Sequence, residues 1–318
     1  MIAQKVLLTG ASSFTGYWFV RALTAAGHQV TAVFTRADLA AYGDELRGSR
    51  VQQLLKYCQP VFACSFGDDR FLELVKTTSP DVVCHHGADV TNYRSADFDF
   101  NRAVANNTKR IQQVLRALSE VGSNKVALTG TVFEGGEGAG SDSLPHFSAY
   151  GLSKSLTANV FRHYCQATGC SLGKFVIPNP FGPFEEPRFT GYLLRCWRAG
   201  ETPCVQTPAY IRDNIHASLL AKHYAKFVAE LSDHPGFVQT NPSGYVESQG
   251  AFAQRFAREL EQRLDIPCPV DLAVQTDFAE PRIRINTEPL SAESLGWCES
   301  AAWDELADYY APVSVANH

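Results

Sequence analysis

The sequence predicts a doubly wound α/β fold, a parallel sheet with helices packed on both faces. Three observations carry this expectation. Short apolar runs alternate with helix-length segments as far as Pro178. The runs are apolar almost throughout rather than at every second residue, which is the pattern of strands buried on both faces. The first run also leads through a glycine-bearing turn straight into a helical stretch: KVLLTG, then ASSFTG, then YWFVRALTAAG.

Taken in order, KVLLTG (5–10) is the first strand, and the amphipathic stretch after it ends at Gly27. QVTAVFT (29–35), PVFACSF (60–66) and DVVCHHG (81–87) are the next three strands, with DDRFLELVKTTSP helical before the last of them. Helical spacing through Ile111, Leu115 and Leu118 predicts a helix between Asn101 and Gly122. KVALTG (125–130) is the fifth strand, Ala149 to Gly169 a helix, and SLGKFVIP (171–178) the sixth strand. GGEGAGSDS (135–143), beside the fifth strand, reads as a mobile loop. The rhythm then breaks, since PNPFGPFEEP places four prolines in ten residues. HPGFVQTN (234–241) predicts one more strand, returning to the sheet.

Composition narrows the function classes. The 318 residues are 45% hydrophobic and 19% charged, as in a globular chain with a well-buried core. The net charge is −5 with no basic run, so no nucleic-acid partner is expected. No apolar stretch approaches the ~18 residues of a membrane span, so no membrane partner is expected either. The first strand begins at about Lys5, which leaves no room for a signal peptide and predicts a cytoplasmic protein. The nine cysteines are odd in number and contain no CxxC, so they read as small buried hydrophobes in a reducing compartment. No metal is expected: zinc spacing is lacking, and the adjacent His85 and His86 point to opposite faces of a strand.

A glycine turn that feeds a helix N-terminus binds pyrophosphate, because unpaired N–H groups and the helix dipole both face the anion. Gly10, Ser12, Ser13, Phe14, Thr15 and Gly16 of TGASSFTG are therefore candidate cofactor-binding residues. A turn that merely connects two elements is the alternative. Familiar dinucleotide loops carry three glycines, whereas here Ser13 stands between two. The second strand ends FTRAD, with Arg36 where an acidic residue for the ribose of NAD is expected; this favours NADP, with NAD as the alternative. Asp68, after the third strand, is placed to accept from the adenine amino group or to cap a helix. Residues 1–178 thus read as a dinucleotide-binding Rossmann domain with a returning strand near 234–241. Residues 179–318 read as mostly a smaller substrate-binding domain.

Tyr150 and Lys154 lie four apart at the start of a helix and share one face. A lysine ammonium beside a phenol favours phenolate, so this tyrosine is expected to act as acid or base near neutral pH. The hydroxyl of Thr129, at the end of the fifth strand, completes a site by hydrogen-bonding a substrate oxygen.

With these residues in place, the chain resembles an extended short-chain dehydrogenase/reductase of the NAD-dependent epimerase/dehydratase family, whose members act largely on nucleotide sugars. The resemblance covers most of the chain and rests on TGASSFTG, GDD (67–69), DVVCHHGA, LTGTVF, YGLSK, PNPFGP, RDNIHA and LGW (295–297). It implies Thr129, Tyr150 and Lys154 as the catalytic triad, with Lys154 also holding the nicotinamide ribose. It implies Thr131 and Asn179 near the sugar, and Arg212, with Arg282 or Arg284, on the diphosphate of a nucleotide-sugar substrate. A homodimer through the Tyr150 helix and its predecessor is implied as well. The chain departs from the family pattern at Ser13, at Gly87 where alanine is common, at Val176 where arginine is frequent, and in HASLL (216–220), which lacks the usual acidic pair.

The residues after Thr129 bear on the reaction. Dehydratases of this family place Asp-Glu there, decarboxylating members a glutamate at Thr131, and 3,5-epimerising members a cysteine at Thr131 with a histidine at Phe184. Here the segment reads Gly130-Thr131 and none of those groups is present. Two chemistries that need only a hydride and one proton remain. The expected one is NADPH-dependent reduction of a nucleotide-linked 4-keto-6-deoxysugar with Tyr150 as proton donor, an oxidoreductase activity. NAD-dependent 4-epimerisation of a nucleotide sugar is the alternative. Reduction of a non-sugar carbonyl and a non-catalytic dinucleotide-binding regulator stand behind both.

Overall fold

The computed structural model describes residues 3–93, 95, 97–231 and 234–311, so the last residues of the expected second domain lie outside the description. The chain opens as β1 (Lys5–Thr9), α1 (Phe14–Ala25), β2 (Gln29–Val33), α2 (Leu46–Leu54), β3 (Gln59–Val61), α3 (Asp69–Thr78) and β4 (Val82–His85). It continues through α4 (Phe100–Asn107), α5 (Ile111–Glu120), β5 (Lys125–Thr131), β6 (Ala139–Gly140), α6 (Ala149–Thr168) and β7 (Ser171–Ile177). Beyond lie β8 (Asn179–Phe181), α7 (Phe189–Arg198), β9 (Cys204–Val205), β10 (Ile211–His216), α8 (Ala217–Glu230) and β11 (Phe237–Thr240). The remainder is β12 (Pro242–Ser243), β13 (Tyr245–Ser248), α9 (Gln249–Leu264), β14 (Asp271–Leu272), β15 (Ile283–Ile285), β16 (Glu288–Pro289) and α10 (Glu299–Tyr310).

Seven strands form one parallel sheet in the order β11-β7-β5-β4-β1-β2-β3. Alternation along each strand divides the core between its two faces. Val6 and Leu8 join Phe14, Phe19, Leu23 and the buried side of α8 on one face; Leu7 joins Phe71, Val75, Leu115 and Phe161 of α3, α5 and α6 on the other. Phe19 of α1 stacks on Tyr224 of α8 at 3.8 Å between ring centroids, and Phe175 of β7 meets both rings edge-on. This cluster clamps α1 and α8 onto the sheet. A third buried cluster joins Phe181 to Leu193 and Trp197 of α7, Phe252 and Phe256 of α9, and Trp303 of α10. A smaller sheet runs in the order β13-β10-β15-β6, with β8 beside β10.

β11 pairs in parallel with β7, so a strand does return to the sheet edge where HPGFVQTN stands. Two expectations are corrected. The helix sought between Asn101 and Gly122 is two helices, α4 and α5, separated at Thr108–Arg110, where Arg110 adopts a left-handed φ of 51°. Tertiary contacts explain the break. The Lys109 carbonyl packs where a side chain on Gly67 would lie, and Asn107 is engaged by His85, Asp89 and Thr157. The segment 135–143 is not a free loop. Ala139 and Gly140 pair with β15, and Glu137 enters a buried polar network. All nine cysteines are free thiols and only Cys298 is exposed. Among the described residues no helix is long and apolar enough to cross a membrane, and no cluster of three or more metal-ligating side chains occurs.

The Phe19–Tyr224–Phe175 cluster is expected to dominate the stability of the main sheet. Truncating the fully buried Phe175 to alanine should lower unfolding stability by about 3–5 kcal/mol in chemical denaturation, as for other large-to-small core changes.

Candidate functional site

A cleft of about 1070 Å³ runs along the carboxyl ends of β1, β2, β4, β5 and β7. Its size exceeds the ~300–1,000 Å³ of a typical single-ligand pocket. At one end stand Val33, Thr35 and Arg47; at the other stand Thr129, Thr131, Tyr150, Lys154 and Arg188. Gly10, Ser12, Ser13, Phe14 and Thr15 line its middle. A parallel sheet places ligands in this position because strand ends and helix N-termini converge there.

The turn after β1 is built for close approach. Gly10 has φ +79°, and a Cβ on it would stand 2.6 Å from the Gly87 nitrogen. A Cβ on Gly16 would stand 2.2 Å from the Gly10 carbonyl oxygen. Ser13 is the N-cap of α1 with φ −73°, so the residue between the glycines carries no left-handed strain. Its Oγ donates to the Gly10 carbonyl at 2.9 Å and accepts from the Gly16 N–H at 3.1 Å, so the serine completes the turn. The fully buried Arg50 donates from Nε to the Ser12 carbonyl and from Nη1 to that of Phe184, and pairs with Glu186 at 2.5 Å. Arg50 thereby ties the turn to the segment that carries Arg188. Such a cradle fits a dinucleotide pyrophosphate.

Tyr150 and Lys154 share one face of α6, whose N-cap Ser148 accepts from the Gly151 N–H. The expected depression of the Tyr150 pKa does not occur. Burial, then the Glu134 carboxylate, push the phenol up from its ordinary value, and Arg188 rather than Lys154 opposes the rise. Tyr150 is therefore a protonated phenol in this site. Burial, countered by Glu134 and reinforced by Lys174, lowers Lys154 from 10.5 to about 8.

Glu134 and Lys174 are residues that sequence reasoning missed. Lys174 Nζ lies 2.6 Å from Glu134 Oε2 and 2.5 Å from Glu137 Oε1. Gln239 and Asn241 donate to the second oxygen of Glu137, and the Thr131 N–H donates to Glu134 Oε1. Gly130 makes room for the pair: a Cβ there would stand 2.7 Å from Lys174 Cε and 2.8 Å from Glu134 Oε1. One signal was available, a lysine inside the apolar strand SLGKFVI, since a buried charge demands a partner.

Several expected site residues stand elsewhere. Arg36 turns from the cleft, donating to the Ala41 carbonyl, pairing with Glu45 at 3.7 Å and lying over the Tyr42 ring; the cation in the cleft wall there is Arg47. Asp68 caps α3, with its two oxygens accepting from the Ser65 and Phe71 N–H groups, and is not in the cleft wall. Asn179 donates its amide to the Asp213 carbonyl, and Ile177, Pro178 and Pro180 form the wall beside it. Arg212 pairs with Glu280 at 2.9 Å and donates to the Ile211 and Arg282 carbonyls. Arg284 donates to the Val132 and Pro145 carbonyls, and Arg282 is exposed over the Phe278 ring. In each case but Arg282 a nearer acceptor, donor or carboxylate claims the side chain, which spacing in sequence cannot show. His85 and His86 do diverge as expected: the His85 ring packs on Phe66 and Phe161 and bonds Thr9 and the Asn107 carbonyl, while the His86 ring packs on Phe19, on the other face of the sheet.

A parallel sheet with a glycine turn after β1 and Thr, Tyr and Lys at the far end of its cleft defines a dinucleotide-fold protein of the short-chain dehydrogenase/reductase type. The chain belongs to the NAD-dependent epimerase/dehydratase family, whose sequence model matches residues 6–236. No curated protein matches it by sequence. Solved structures share the fold over nearly the whole chain. UDP-glucuronic acid 4-epimerase from Bacillus cereus, in complex with UDP-glucuronic acid and NAD, has TM-score 0.71 at 19% identity over 96% of this chain and 98% of its own. UDP-glucose 4-epimerase from Thermotoga maritima, with UDP-glucose, has TM-score 0.68 at 18% identity over 96% and 98%. UDP-N-acetylglucosamine 4-epimerase from Methanobrevibacter ruminantium, in complex with UDP-N-acetylmuramic acid, has TM-score 0.70 at 15% identity over 98% and 99%.

The charge cluster makes a direct prediction. Lys154 is cationic below its pKa of about 8 and neutral above it. Lys174→Met removes a like charge and should move its titration, read by NMR of the lysine side chain, to higher pH; Glu134→Gln should move it lower. Titrations that coincide in all three proteins refute this electrostatic account.

Proposed function

We propose that the protein interconverts nucleotide-diphosphate sugars epimeric at C4, using bound NAD. The observation that carries the reading is the proton inventory around Tyr150. Gly130 and Thr131 follow Thr129, and the nearest carboxylate, Glu134, is held by Lys174 and the Thr131 N–H. Such a site serves hydride exchange with one proton, moved by Tyr150 at the C4 oxygen. Neither Gly130 nor Thr131 is a base for proton removal at neighbouring carbons. The family and the 4-epimerase names of the structural neighbours support the reading, and Arg36, which favoured NADP, is turned from the cleft.

In this reading the turn at Gly10–Gly16 holds the pyrophosphate and Lys154 the nicotinamide ribose. When bound, the dinucleotide supplies reversible hydride exchange. Arg188, exposed in the cleft wall and 3.4 Å from the Tyr93 hydroxyl, is the cation placed for the sugar diphosphate. Two copies pairing through α5 and α6 form the active homodimer, to be checked by light scattering.

A second reading, NADPH-dependent reduction of a 4-ketosugar, is favoured by Thr35 and Arg47 at the β2 end of the cleft, which suit a ribose 2′-phosphate. The raised Tyr150 phenol, already a proton donor, favours it too.

The test is to release and identify the co-purifying dinucleotide, then follow a panel of UDP- and dTDP-sugars by NMR. C4 epimers accumulating without net cofactor oxidation are expected. Steady NADPH oxidation by a nucleotide 4-ketosugar would transfer the assignment to the second reading. In either, Tyr150→Phe should slow turnover about 10²–10⁴-fold, the range for a lost general acid–base group, with dinucleotide binding retained. Arg47→Ala should weaken NADPH by more than tenfold relative to NADH only if the second reading holds, because one charge-assisted phosphate contact is worth about that much.

A further inference from the structure

Thr129 does not act alone at the end of β5. Its Oγ1 lies 3.1 Å from Nδ1 of His86. Nε2 of the same ring lies 2.9 Å from Ser13 Oγ and 3.0 Å from Thr15 Oγ1. Phe19 holds the imidazole edge-on at 5.1 Å. One ring therefore bridges the pyrophosphate turn to the hydroxyl beside the reacting carbon. Ser13, the residue that departs from the three-glycine loop, supplies one of the bridging hydroxyls.

We propose that His86 is a positioning residue that commits the Thr129 hydroxyl proton to its own Nδ1 and links Thr129 to the occupancy of the pyrophosphate turn through Ser13 and Thr15. The proposal rests on the C4 chemistry above for its kinetic consequence, though not for its structural one.

Proton bookkeeping leads to it. A neutral imidazole has one donor and one acceptor nitrogen, and which is which follows from its partners. Desolvation, then the Lys154 and His85 charges, lower His86 to about 3, so the ring is neutral. Ser13 has a single hydroxyl proton, given to the Gly10 carbonyl at 2.9 Å, while its oxygen accepts from the Gly16 N–H. Toward His86 it offers only a lone pair, so Nε2 carries the ring proton. Nδ1 is then the acceptor, and the Thr129 hydroxyl donates to it. A diphosphate oxygen at the turn would draw the Thr15 hydroxyl proton toward itself and leave a lone pair facing Nε2, which reinforces this tautomer. With its proton committed, Thr129 meets the C4 oxygen group through lone pairs, and Tyr150 is left as the group that gives or takes the proton there. No covalent step is involved.

The experiment is nitrogen NMR of protein labelled in its nine histidines, with the His86 ring identified by its loss in His86→Leu. In the wild type Nδ1 should resonate as an unprotonated acceptor and Nε2 as N–H, without ligand and with NAD⁺. Nε2 should shift on NAD⁺ addition, and Thr129→Val should shift Nδ1. A proton on Nδ1, or a ring indifferent to Thr129→Val, overturns the proposal. Neither readout requires turnover, so a wrong substrate class leaves this result standing. Where turnover is found, His86→Leu should lower kcat by roughly five- to tenfold, the value of one hydrogen bond, while His86→Gln, which keeps a donor and an acceptor, restores part of it. His86→Leu should add nothing to Thr129→Val, whereas additive losses refute action through Thr129.

Discussion

The contact on which the site depends is the approach of the ends of β1 and β4. A Cβ on Gly10 would stand 2.6 Å from the Gly87 nitrogen and 2.7 Å from its Cα, too close for any side chain there. Thr9 Oγ1 accepts from the Gly87 N–H at 3.0 Å and bonds His85 Nδ1 at 2.9 Å, locking the two strand ends together. This closeness puts the turn after β1, the His86 ring and Thr129 of the next strand within one hydrogen-bonded chain. A side chain at Gly10 would separate β1 from β4, and the loop from the chemistry with it.

The second constraint is electrostatic. Two lysines, Lys154 and Lys174, are buried within reach of each other's fields, an arrangement that burial alone makes unfavourable. Glu134 and Glu137 compensate Lys174, and Glu134 also supports the charge of Lys154. The same carboxylate raises the Tyr150 phenol. Burial is the larger influence on both groups, and to it this one anion adds a preference for a charged lysine and a protonated tyrosine. The two carboxylates also anchor the segment after β5, because Glu134 accepts from the Thr131 N–H while Glu137 accepts from Gln239 of β11 and from Asn241 just after it.

Much of the fold was legible in the chain. Continuous apolar runs marked β1, β2, β4, β5 and β7, and their lack of alternation marked a sheet covered on both faces. TGASSFTG marked the turn, and the spacing of Tyr150 and Lys154 placed both on one helical face. Less legible was whatever depended on a distant partner. The break between α4 and α5 follows from Lys109 packing on Gly67, and the ordering of 135–143 from β15, more than a hundred residues away. Arg36, Asn179 and Arg212 are the residue types that fit their expected roles, yet each found a closer partner in Ala41 and Glu45, Asp213, or Glu280.

By itself the sequence determined the periodicities, hence the strands, the sheet they form and the turn at the end of the first. It also determined which hydroxyl, phenol and amine types the site holds, since these are properties of local chain and residue identity. Only the tertiary structure decided the direction of the Tyr150 shift, the hydrogen-bond partners of His86 and the choice of Arg47 over Arg36 at the cleft wall. Each of these depends on the burial and neighbours of a group, which long-range packing alone creates.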